Sequence, residues 1–156
     1  MPQDDTVLVE VVDIDTDEAR LLESQQISEM QERYGGSGPS RLDPSDFDAP
    51  FGCFLLARVD GLAVGCGGFR KLDTATAEIK RMYVDSDFRR RGIGRRILRD
   101  LQNKAKDAGY REVWLETGIY QPESISLYES EGYTRMQPYG EFNDDPRSVC
   151  FRRALS

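Results

Sequence analysis

Residues 77–105 constrain the fold more than any other part of the chain. Ala77-Glu78-Ile79-Lys80-Arg81-Met82-Tyr83-Val84 reads as a strand, and further on Ile93, Ile97, Leu101 and Ala105 recur every four residues, as on a helix face. Between the two lies Arg89-Arg90-Arg91-Gly92-Ile93-Gly94. Strand, glycine-rich turn and helix in this order gather free backbone N–H groups, because the first N–H groups of a helix have no internal partner. The helix dipole adds partial positive charge there, and glycine lets main chain approach an anion without a Cβ in the way. Arginines supply forked donors that match phosphate oxygens. The local expectation is a phosphate or pyrophosphate site. The spacing is not that of the common nucleotide loops: neither G-x-G-x-x-G nor G-x-x-x-x-G-K-[ST] occurs.

The remaining pattern surrounds this unit with more strands than helices. Val7 to Val12 is apolar and β-branched, the signature of a first strand. Asp15 with Glu18 has the spacing of a capping box, and Ala19, Leu22, Ile27, Met30 and Tyr34 give a roughly helical stripe broken at the polar Gln25-Gln26. Gly35 to Ser40 ends that helix in a flexible loop, and 41–52 is either irregular or a short helix after Asp43. Cys53 to Val59 and Leu62 to Arg70 form a hairpin at Asp60-Gly61. Gly65, Gly67 and Gly68 suggest a bulge or a close backbone approach in its second strand. After the strand Ala77–Val84 and the helix Ile93–Ala108 come a strand from Glu112 to Thr117, a helix from Pro122 to Glu131, and strands over 133–136 and 148–154. In the strand from Glu112, Val113 and Leu115 face one way and Trp114 the other. The class is α+β: one domain with a mixed, mostly antiparallel central sheet flanked by helices.

Composition removes several kinds of chemistry. The chain has 156 residues, a length that suits a single domain with a real core, and no histidine, so Ser-His and Cys-His nucleophile pairs are excluded and a metal site is not expected. Cys53, Cys66 and Cys150 are too few for a disulfide framework and read as buried thiols. A net charge of −7 opposes binding to nucleic acid, and the arginine cluster is a local island suited to a small polyanion. No apolar run approaches the ~20 residues that span a bilayer, and the start of the chain lacks the features of a signal peptide, so the cytoplasm is the expected location, with no membrane partner. Dimerisation is left open.

Together with the downstream segment Gln121-Pro122-Glu123-Ser124-Ile125-Ser126-Leu127-Tyr128-Glu129-Ser130-Glu131-Gly132-Tyr133, the turn resembles the GNAT N-acetyltransferase superfamily. Its hallmark is [Q/R]-x-x-G-x-[G/A], followed by N-x-x-A-x-x-L-Y-x-x-x-G-[F/Y]. Arg89-x-x-Gly92-x-Gly94 matches the first, and Leu127-Tyr128-x-x-x-Gly132-Tyr133 the end of the second. Gln121 and Ser124 stand where the family usually has Asn and Ala. The resemblance implies acetyl transfer from acetyl-CoA to a primary amine by direct attack in a ternary complex, on a GNAT-like fold.

The same resemblance suggests roles. Met82, Tyr83 and Val84 would carry the pantetheine arm along the strand, with the Met82 N–H as oxyanion donor at a splay in the sheet. Arg89, Arg90, Arg91, Gly92, Ile93, Gly94 and Arg95 would hold the pyrophosphate, and Gln121 would reach the cofactor. Glu78, fourteen residues before Gly92, occupies the position of a general base in the histone-acetylating branch. Strict alternation puts it on one face with Lys80, Met82 and Val84. It either takes a proton, pairs with Lys80 or Arg81, or orients the acceptor. Tyr128 is the expected acid for the departing thiolate, with a buried structural aromatic as the alternative. The acceptor would lie between 30–48 and a late loop carrying Tyr139, Glu141, Asp144 and Asp145. Those acids favour a cationic amine, whereas Lys80 favours an acceptor with a carboxylate. A non-catalytic acyl-CoA-binding sensor is the competing function.

Overall fold

A computed structural model of the chain describes residues 7–36 and 42–156. Seven strands form one sheet: β1 (Val7–Val11), β2 (Cys53–Val59), β3 (Leu62–Lys71), β4 (Thr76–Val84), β5 (Glu112–Gly118), β6 (Thr134–Met136) and β7 (Ser148–Ala154). Three helices flank it: α1 (Asp17–Tyr34), α2 (Ile93–Asp107) and α3 (Pro122–Ser130). The sheet order is β1-β2-β3-β4-β5-β7-β6, and every neighbouring pair is antiparallel except β4 and β5. Each expected strand and helix is present. The segment after Asp43 is a single turn of 3₁₀ helix, Pro44–Phe47, which Asp43 caps by accepting the Ser45 N–H. Residues 37–40 of the expected loop, and Arg41, lie outside the described residues. Among the described residues no helix is long and apolar enough to cross a membrane.

The two sheet faces bury separate cores. Alternation in β2 sends Leu55 and Ala57 toward α2 and α3, where they meet Phe69, Ile79, Ile97, Leu101, Leu115 and Phe151, all buried. Phe54 and Leu56 point the other way, with Cys66, toward Ala19 and Leu22 of α1 and Phe47 of the 3₁₀ turn. The stripe on α2 is one-sided, and its buried positions follow the sequence period. α1 instead buries only Ala19 and Leu22, and polar contacts to the rest of the molecule hold its second half. Its start is one residue later than the Asp15 box suggests. Thr16 is the cap, accepting the Ala19 N–H, while Asp15 pairs with Arg20. The three cysteines are buried free thiols.

Candidate active site

The site begins where the sheet comes apart. β4 and β5 pair from Thr76↔Glu112 to Ile79↔Leu115 and no further. Beyond that point the two parallel strands diverge, and the β4 edge is left without a strand partner. Just there β4 carries a bulge. The register shifts between Cys66 and Gly68 on β3, with Arg81 in the left-handed region at φ 62. A Cβ on Gly67 would sit 2.6 Å from the Met82 sulfur, so a glycine is what lets Met82 lie across the bulge. The extra residue reverses the alternation. Met82 and Val84 pack against the α2 core, while Tyr83 turns to the α1 core. The expectation that Glu78, Lys80, Met82 and Val84 share a face is therefore corrected: Glu78 and Lys80 lie on the α1 face, opposite Met82 and Val84. Period-two counting cannot see an inserted residue.

The free β4 edge faces a cavity of about 500 Å³ that runs to the start of α2. Met82, Tyr83 and Val84 line it at one end, with Arg89, Arg90, Gly92, Ile93, Gly94 and Arg95 at the other. Gly92 caps α2 at φ 79, a left-handed conformation that glycine adopts without strain. Arg96 is the first residue to find a helical partner, the Gly92 carbonyl, so the N–H groups of 93–95 are the ones left to a ligand. The arginine island divides in two. Arg89 makes a two-pronged pair with Glu29 of α1 and donates to the Val84 carbonyl; Arg95 and Arg99 both bind Glu131; Arg96 pairs with Asp100. Arg90 and Arg91 are exposed, form no ion pair among the described residues, and Arg91 stacks on Phe88 at 4.9 Å. Arg91 is the one expected cofactor residue in this turn that does not line the cavity.

A second cavity, about 150 Å³, lies at the splay and is lined from both sheet faces, by Lys80 and Glu116 on one and Ile79, Leu115 and Tyr128 on the other. Met82, Gln121 and Tyr128 line both cavities. Tyr128 stacks between Tyr133 at 5.6 Å and Phe151 at 5.9 Å. Burial, then the nearby charge of Glu116, raises its hydroxyl above the ordinary range, so it holds its proton throughout the physiological range. Gln121 accepts a hydrogen bond from Tyr34 at the end of α1. α1 also roofs the slot. Gln26 donates to the Met82 carbonyl at 2.9 Å, so the Met82 and Val84 carbonyls both point away from β3 and are held by side chains.

Glu116 also lines this passage, and the residue-level reading of the sequence missed it. It follows Trp114 by two positions on β5, so the shared face was legible, but only the end of the β4–β5 ladder puts it at the opening. Burial lifts its carboxyl from 4.5 to about 7; the Ser148 hydroxyl, donating at 2.8 Å, and Lys80 act against that, and Asp145 and Glu141 with it. Thr117, buried beside it, has a hydroxyl with no partner among the described residues. Glu78 is placed differently. It is 2% exposed, sits inside the paired part of β4 opposite Trp114, and lines neither cavity. One oxygen accepts from Arg70 at 3.0 Å and the other from the Tyr139 hydroxyl at 2.7 Å. Lys80 lies 3.9 Å from the second oxygen and over the Phe142 ring at 5.2 Å.

Comparison with known proteins gives a consistent picture. The family model described as the acetyltransferase (GNAT) family matches residues 17–133. The chain is 36% identical over 137 residues to an IAA acetyltransferase of Azospirillum brasilense, covering 84% of this chain and 89% of that one. A Klebsiella pneumoniae protein assigned as an acyl-CoA N-acyltransferase superposes with a TM-score of 0.80 at 26% identity, over 96% of this chain and 98% of its own. A GNAT family acetyltransferase of Elizabethkingia anophelis, solved with acetyl-CoA bound, has a TM-score of 0.72 at 20% identity over 97% and 99% of the two chains.

Proposed function

We infer that this chain, which belongs to the GNAT acetyltransferase family and is an N-acetyltransferase, moves the acetyl group of acetyl-CoA directly to a primary amine in a ternary complex. The observation that carries this reading is the passage through the splay, where Met82, Tyr128 and Glu116 meet between the two sheet faces. It lets a thioester arrive from one side and an amine from the other.

The residues present fit the co-substrate. Its pyrophosphate suits the N–H groups at the start of α2, with the exposed cations Arg90 and Arg91 beside them. Its pantetheine amides suit the unpaired β4 edge at Met82 and Val84, in the manner of an added strand that takes the two carbonyls over from Gln26 and Arg89. The acetyl-CoA bound by the Elizabethkingia relative supports the same ligand.

The amine nitrogen attacks the thioester carbon as the carbon–sulfur bond breaks. Glu116 takes a proton from the attacking nitrogen; a base poised near 7 is partly ionised at neutral pH and strong enough to accept. The Met82 N–H stabilises charge on the carbonyl oxygen. Tyr128, fully protonated, hydrogen-bonds the leaving sulfur and gives it the proton as the one Glu116 took from the amine replaces it, so the tyrosine ends protonated and the glutamate ionised. Glu78, with both oxygens held by donors, is not the base in this reading. The test is thiol release from acetyl-CoA across a panel of primary amines, with the two substrates varied together. Intersecting initial-rate lines and an N-acetyl product are expected. No turnover with any amine, or parallel lines with an acetylated enzyme, overturns the reading.

A further inference from the structure

We propose that Glu78 is a positioning residue that latches the 137–147 loop across the amine-binding face through the Tyr139 hydroxyl, and so sets acceptor affinity. The inference rests on the acetyl-transfer reading above.

Four side chains cross the α1 face of the sheet in a line. Asp46 of the 3₁₀ turn lies 3.7 Å from Arg70 of β3; Arg70 donates to Glu78 of β4 at 3.0 Å; Tyr139 of the loop donates to Glu78 at 2.7 Å. The line therefore ties the segment after α1 to the loop before β7. Asp145 and Glu141 bring the loop close enough to Glu116 to act on its charge. Over Trp114 of β5 the cover on that face is the loop itself, through Tyr139. Apart from one 3₁₀ turn, Gly140–Phe142, the loop has no regular structure of its own. What fixes it is its side chains: Tyr139 stacks on Trp114 at 5.2 Å and on Phe142 at 5.5 Å, and Lys80 sits over Phe142.

Glu78 is the only anchor in this set that is both charged and 2% exposed. A buried carboxylate is stable only when its oxygens are satisfied, so the Tyr139 hydroxyl is a required partner and the loop is drawn to it. Lys80 is held by Glu78 and also lines the passage, so the latch fixes one wall of the acceptor site as well as its cover.

Tyr139→Phe removes the hydroxyl alone. The acceptor KM is expected to rise about tenfold, the scale of one hydrogen bond to a charged group, while kcat falls by less than about threefold. The affinity for acetyl-CoA and the acid limb of the pH–rate profile stay at the wild-type values. Glu78→Gln keeps an acceptor oxygen but loses the charge, so KM is expected to rise by less than in Tyr139→Phe, and the double variant to be little worse than Tyr139→Phe alone, because both act on the same bond. An unchanged KM in Tyr139→Phe overturns the latch. So does a collapse of kcat in Glu78→Gln with loss of the acid limb, which makes Glu78 the base. Amide hydrogen exchange of the unliganded protein separates this from a failure of the functional reading: residues 137–147 lose protection in Tyr139→Phe whatever the enzyme acetylates, and unchanged protection also overturns the latch.

Discussion

Replacing Glu116 with glutamine slows the enzyme and stabilises it above neutral pH in one step. Burial is the main reason the carboxyl sits near 7 rather than 4.5, and burial disfavours the charged form. Below pH 4.5 the group is protonated in both folded and unfolded chains, and the fold has its full benefit. Between 4.5 and 7 only the folded chain keeps the proton, so stability is lost as pH rises. At about 1.4 kcal/mol per pH unit, the loss totals about 3 kcal/mol, of which about 2 falls between about pH 5.5 and about pH 8. The substituted amide does not titrate and can still accept from Ser148. The gap between variant and wild type therefore widens by about 2 kcal/mol over that range, about 4–8 °C in Tm for a chain this size. The assay is thermal or urea unfolding of both proteins at several pH values, beside kcat for each. The variant is expected to lose about 10²-fold or more in kcat, and wild-type kcat/KM to fall on the acid side of pH 7. Parallel stability curves refute the burial argument, and full kcat in Glu116→Gln refutes the proton role.

Three other outcomes test separate parts of the account. Ser148→Ala removes a donor that holds the Glu116 carboxyl down, so the acid limb of kcat/KM moves to higher pH; a shift the other way, or none, contradicts the assignment. Tyr128→Phe keeps the stacking on Tyr133 and Phe151 but removes the proton, so kcat falls about 10²- to 10⁴-fold with acetyl-CoA affinity unchanged by calorimetry. Ile97→Ala opens a cavity at a fully buried position of the α2 core and costs about 2–5 kcal/mol in urea unfolding, since deleted methylenes leave space the fold does not refill.

The fold was legible to within a residue or two because its signals are local. The Asp60-Gly61 hairpin, the four-residue period from Ile93 to Ala105 and the glycine at position 92 each act over a few residues. The sequence pointed to a mixed sheet without placing its parallel pair, which is β4–β5, joined by the crossover through α2. The site was legible only in part. The Arg89–Gly94 turn and Tyr128 stand out as motifs, and they line cavities together with the β4 edge. Glu78 also stands out, but its partners Arg70 and Tyr139 are 8 and 61 residues away, and no sequence spacing reveals that both of its oxygens are taken. The bulge at Arg81 was hidden for a different reason: a left-handed arginine in mid-strand accompanies the seating of Met82 against Gly67 and does not follow from its own preference. Glu116 depends on where the ladder ends, and tertiary structure decides that.

The most direct test of the central claim is calorimetric titration of acetyl-CoA into the wild type and into two matched variants, Gly92→Glu and Gly109→Glu. Both glycines flank α2, both have positive φ, 79° and 100°, and neither has an atom within 4 Å of an added Cβ. The backbone strain is thus similar, and only position 92 puts a carboxylate at the helix start. The account predicts wild-type binding, near-wild-type binding in Gly109→Glu, and affinity lower by about 100-fold or more in Gly92→Glu, where a carboxylate stands against the pyrophosphate at close range. Equal affinity in all three proteins, or no binding in any, contradicts it.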